Sequence, residues 1–77
     1  MDPLLEKIID IIAAHYQGRE KVTPDTVLES LHIDNLDSAE LIIEIEEATD
    51  IIVDDEDYDG ATTVHDLYLA LKEKVPA

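Results

Sequence analysis

Between Lys21 and Lys72 the chain has no lysine or arginine, and that span holds fifteen of its twenty acidic residues. Charge packed so densely repels itself, costs stability and makes a fold sensitive to salt and pH. Disorder is the expected outcome unless apolar residues are numerous and regularly placed. Here 45% of residues are hydrophobic, and they fall in periodic clusters. Leu41, Ile42, Ile45, Ala48 and Thr49 recur at helical spacing, so Leu36 to about Thr49 reads as an amphipathic helix. Asp34 or Asn35 suits its N-cap, and Asp37 puts a carboxylate in the first turn, where the helix dipole favours it. Asp37, Glu40, Glu44 and Glu47 share the other face, with Glu46 at its edge. The span therefore predicts an anionic helix face with nothing inside the chain to neutralise it.

Seventy-seven residues make one small domain over 1–77. Without cysteine there is no disulfide or thiolate metal site to brace it. With no Phe or Trp and three Tyr, the core must be aliphatic, which fits packed helices better than a sheet. Such a core supplies about 3–5 kcal/mol of net stability. The formal net charge of −15 argues against nucleic acid or anionic membrane and for basic protein partners or cations. No stretch is long enough to span a bilayer and no basic, then apolar, leader is seen, so a soluble cytoplasmic monomer is expected.

Asp2-Pro3 is a helix start, an N-cap followed by proline at the first helical position. Leu5, Ile8, Ile9 and Ile12 form a core-facing stripe, with Tyr16 one turn further, and Gly18 is expected to stop the helix. His15 reads as a surface or capping histidine, since no second metal ligand sits at helical spacing. Gln17 to Ile33 is a long connection with turn chemistry at Thr23-Pro24-Asp25, pinned by Val27, Leu28, Leu31 and Ile33. After the acidic helix, Ile51-Ile52-Val53 breaks the pattern, and Asp54 to Gly60 allows one short helical turn with Tyr58 and Ala61 facing inward. Thr62 or Thr63 then caps a last helix, with Asp66 completing a capping-box variant. Val64, Leu67, Tyr68 and Leu71 form its stripe, Lys72 and Lys74 its last turn, and Pro76 its end. The expectation is an all-α, three-to-four-helix bundle with a long first loop.

The run Leu31-His32-Ile33-Asp34-Asn35-Leu36-Asp37-Ser38-Ala39-Glu40-Leu41 resembles the attachment region of the acyl carrier protein family. That family reads Leu, Gly, any residue, Asp-Ser-Leu-Asp, two residues, Glu-Leu. Glu46-Glu47, Val53-Asp54-Asp55-Glu56 and Thr62-Thr63-Val64 also fall where the family has an acidic pair, Ile-Pro-Asp-Glu and Thr-Thr-Val. The match runs without gaps from Leu31 to Val64. Four departures stand out. The family's glycine is His32, its proline is Asp54, the aromatic near the end of its second helix is Thr49, and its serine is Asn35. That serine carries 4′-phosphopantetheine through its hydroxyl, and an amide cannot form the ester. Asn serves as well as Ser at a helix start, so the fold is expected to survive a change that removes the chemistry. Either the chain is a natural carrier-like protein without the prosthetic group, or its serine was replaced. Ser38, one turn on, is an alternative attachment point, but it lacks the upstream Leu and downstream Glu-Leu at the family offsets.

The resemblance implies a non-enzymatic carrier that presents acyl intermediates to enzymes of fatty-acid or polyketide type, the arm supplying the thiol chemistry. Asp34, Asp37, Glu40, Glu44, Glu46, Glu47 and Asp55 would meet basic surfaces of acyl-processing enzymes and of phosphopantetheinyl transferase, with Leu36, Ala39 and Ile43 as apolar contacts. Leu28, Leu41, Ile45, Ala61, Leu67 and Leu71 would line the space for an acyl chain, or simply form the core.

A calcium-binding alternative rests on Asp55, Asp57, Asp59 and Gly60, which match EF-hand loop positions 1, 3, 5 and 6, with Asp66 at position 12 in place of the usual Glu. Looser divalent screening by the many carboxylates is a simpler form of the same chemistry. No nucleophile has a base at a recognisable spacing, and a domain this small has little room for a water-excluding cleft, so no enzyme is predicted.

Overall fold

The computed structural model describes residues 2–16 and 18–75. Helix α1 spans Pro3–His15, α2 Asn35–Thr49, α3 Asp55–Asp59 and α4 Val64–Lys72. A 3₁₀ turn at Leu28–Leu31 interrupts the long first connection. The described residues are all-helical apart from one isolated antiparallel bridge, Val27 to Thr63. α1 packs on α2 and α4, and α3 packs on α4.

The ends of α1 and α4 follow from local chemistry. Asp2 caps α1, its Oδ1 accepting from the Leu4 N–H at 2.9 Å, with Pro3 opening the first turn. Its Oδ2 accepts from the Tyr68 hydroxyl at 2.7 Å, so one carboxylate joins the start of α1 to α4. Thr63 caps α4 in the expected reciprocal box with Asp66. α4 ends at Lys72; Pro76, expected to end it, lies outside the described residues, as does Gln17.

Ile8, Ile12, Leu41, Ile45, Val64, Leu67 and Leu71 are fully buried, and no polar side chain is buried among the described residues. The core is the aliphatic one that the composition requires. Three details depart from expectation. α1 stops at His15 because Tyr16 turns extended; Gly18 is instead the site over which the Tyr16 ring lies, where a β-carbon would collide with it. Ala48 is exposed, so the buried stripe of α2 is Leu41, Ile42 and Ile45. Val22 is buried, while Val27 is 41% exposed.

The first connection is tied down by backbone bonds that no side-chain pattern announces. Leu28 N–H donates to Thr62 O at 2.9 Å, Val64 N–H to Thr26 O at 3.0 Å and His65 N–H to Pro24 O at 2.9 Å. The 3₁₀ turn closes on His32, whose φ of 53° is left-handed and disfavours a residue with a β-carbon. This turn delivers the chain to α2.

Candidate functional site

Asp34 caps α2, its Oδ1 accepting from the Asp37 N–H at 2.8 Å. Asn35 is therefore the first helical residue, exposed, with its amide at the mouth of the helix. Ser38 is half-buried and turned back along the helix, its hydroxyl donating to Asn35 O at 3.0 Å. Beside Asn35 a groove of about 560 Å³ opens between the first connection and α3, lined by Leu28, His32, Ile33, Tyr58 and Ala61 among others.

Opposite the buried stripe, α2 presents a mixed surface. Leu36 is 74% exposed and Ile43 52%, and Ala39, Glu40, Glu44 and Glu47 are exposed among them. Asp37 is half-buried, and Asp55 is exposed at the start of α3. Glu46 is committed within the fold. Its Oε2 accepts from the Val53 N–H at 3.0 Å and so holds the connection after α2.

Two groups on α1 correct the expectation that nothing inside the chain meets this face. Lys7 Nζ donates to Ala48 O at 3.4 Å, at the negative end of the α2 dipole. His15, its side chain only 13% exposed, places Nε2 3.0 Å from Glu44 Oε2. A ring nitrogen of His15 and one carboxylate oxygen each of Asp37 and Glu40 also lie within 4.8 Å of one another. His15, expected as a surface or capping histidine, lies partly shielded in the last turn of α1 and bonds to Glu44. The carboxylates near its ring come from α2 and not from positions one turn away on α1. Lys7, Ile11 and His15 recur every fourth residue, a stripe that marked the side of α1 facing α2.

The calcium alternative is not favoured. Asp55, Asp57 and Asp59 lie in a helix rather than a loop. Asp57 accepts from the Asp54 N–H at 2.9 Å and pairs with Lys74, whose hydrogen bond holds the Asp57 carboxyl below the usual range. Asp66 accepts from the Thr63 and Thr62 N–H groups, which likewise lower its pKa. These carboxylates serve as caps, and Asp55, Asp57, Asp59 and Asp66 do not converge as a ligand set among the described residues.

The fold is thus a small four-helix bundle with a capped helix start beside a groove and an outward acidic-apolar face on α2, an architecture of the carrier-domain type. Residues 5–71 match the family described as a phosphopantetheine attachment site. The chain is 41% identical over 64 residues to an acyl carrier protein of Syntrophobacter fumaroxidans, covering 80% of this chain and 79% of that one. It is 37% identical over 76 residues to an acyl carrier protein of Thermosynechococcus vestitus, covering 96% and 94%. It is 38% identical over 72 residues to that of Streptococcus pyogenes serotype M1, covering 92% and 95%. The chain belongs to the acyl carrier protein family, whose members are carriers and whose prosthetic group is 4′-phosphopantetheine. No described helix is long and apolar enough to cross a membrane.

The prosthetic group needs a hydroxyl for its phosphodiester. The position that the resemblance sets against the family's serine is Asn35, whose side chain offers an amide and no hydroxyl.

Proposed function

We propose that this protein is an acyl-carrier-type docking protein that stays unmodified. It engages basic surfaces of acyl-processing enzymes, and of phosphopantetheinyl transferase, without itself carrying an acyl chain. The observation that supports this most directly is the pairing of an exposed Asn35 amide with an outward face of Leu36, Ala39, Glu40, Ile43, Glu44 and Glu47 on the same helix. Asp34, Asp37 and Asp55 extend the charge around it. Glu46, tied to Val53, is its least available member. Long-range attraction between such a face and a basic partner speeds encounter and gives weak, salt-sensitive binding.

The test is incubation with a broad-specificity phosphopantetheinyl transferase and coenzyme A, read by intact mass. No mass gain is expected for the protein, and the Asn35→Ser variant should gain one arm. A gain by the unsubstituted chain, mapped to Ser38, would overturn the reading of Asn35. Failure of Asn35→Ser to load would count against the docking face.

A further inference from the structure

We infer that His15, Asp37 and Glu40 form a binding site for one divalent transition-metal ion of the zinc class. The three donors come from two helices and converge on one spot. Asp37 and Glu40 are one turn apart on α2, and His15 reaches them from the last turn of α1. Their ligand atoms already lie within 4.8 Å of one another. A tetrahedral zinc centre, with bonds of about 2.0–2.2 Å, needs them about 3.4 Å apart. Carboxylates on flexible stems close that gap by side-chain rotation, with no movement of either helix.

The imidazole sets this cluster apart from the many carboxylates elsewhere. Exposed acids alone hold calcium or magnesium loosely; a nitrogen donor shifts the preference to zinc and its neighbours in the transition series. The ring is also positioned for ligation. It is mostly shielded from solvent, and Glu44 grips its Nε2. A carboxylate on one imidazole nitrogen, fixing the ring while the other nitrogen faces the metal, is the usual outer-shell arrangement. An open groove of about 350 Å³, lined by His15, His32, Asp34 and Asp37, gives the ion a path in and space for water to complete its coordination.

The bound ion would staple the end of α1 to the start of α2. It would also occupy two carboxylates of the face proposed for partners, so zinc and a basic partner would compete. That consequence rests on the docking reading; the metal site itself does not.

Titration of the whole protein with zinc chloride at physiological salt, followed by calorimetry, tests the site. One saturable zinc site is expected, undisturbed by a tenfold excess of magnesium or calcium, with a rise in Tm on the order of 10 °C at saturating zinc. His15→Gln, Asp37→Asn and Glu40→Gln should each weaken zinc binding by about tenfold or more. Glu47→Gln, on the same helix but outside the cluster, should leave it unchanged. Far-UV circular dichroism checks that each variant folds. Should His15→Gln lose helix, the exposed Glu40 carries the test. Equal binding of calcium and zinc, or zinc affinity unaltered in folded His15→Gln or Glu40→Gln, overturns the assignment.

Discussion

α2 and α4 are both short amphipathic helices rich in neighbouring carboxylates, yet they use their acids in opposite ways. Around α4 the acids are turned onto the chain: Asp66 caps its start, Asp2 holds Tyr68 and Asp57 holds Lys74. On α2, Glu40 and Glu47 point outward, and of the outer-face acids only Glu44 reaches back to the chain among the described residues, to His15. The contrast separates carboxylates that maintain the fold from carboxylates kept despite the repulsion they add.

Replacing one residue on each helix should break this comparison most visibly. Leu67→Ala removes a fully buried side chain of α4 and should cost about 2–5 kcal/mol, enough to unfold much of a domain of this size, as read by urea denaturation. Leu36→Ala on the outer face of α2 should change stability by no more than about 0.5 kcal/mol. The same α2 face should respond in binding: Glu40→Lys with Glu47→Lys should weaken association with a phosphopantetheinyl transferase about tenfold at low salt, an effect that fades as salt rises, in surface plasmon resonance.

Acid titration sharpens the other half of the contrast. Asp2, Asp57 and Asp66 have folded pKa values depressed respectively by the Tyr68 hydroxyl, by Lys74 and by the Thr63 backbone. The unfolded chain then binds protons more readily. Their stabilisation is fully present above the unfolded value of about 3.9 and is lost as the pH falls through the lower folded values. Asp66→Asn should flatten that acid limb in a pH series of thermal melts, whereas Glu47→Gln should leave it in place. A modest effect of the opposite sign concerns the entry to α2. His32→Gly should relieve the left-handed backbone and raise stability by up to about 1 kcal/mol, offset in part by the freedom glycine gains when unfolded.

Much of this fold was legible because its signals are local. Asp2-Pro3 marks one helix start, Thr63 with Asp66 marks another, and the Val64, Leu67, Tyr68, Leu71 stripe reports its own burial. What escaped depends on how one helix sits against the next. The Lys7, Ile11, His15 spacing marks one side of α1, but does not say that His15 meets Glu44 or that Lys7 reaches the end of α2, because inter-helix register is decided by packing. The Asp55 to Asp66 run misled for a related reason. Periodic acids satisfy a loop motif and a helix cap equally well, and the competition is resolved by backbone N–H groups that a sequence does not display. Glu46 likewise looked like one more surface acid until Val53 was found beneath it.

The link between Asp2 and Tyr68 bears on how the chain comes into being. As the chain emerges in order, the first helix forms with its own cap but without its anchor, since the hydroxyl that secures Asp2 lies 66 residues further on. Final closure of the bundle must therefore wait until Tyr68 has been made, and a nascent chain halted before residue 68 should remain open to proteases.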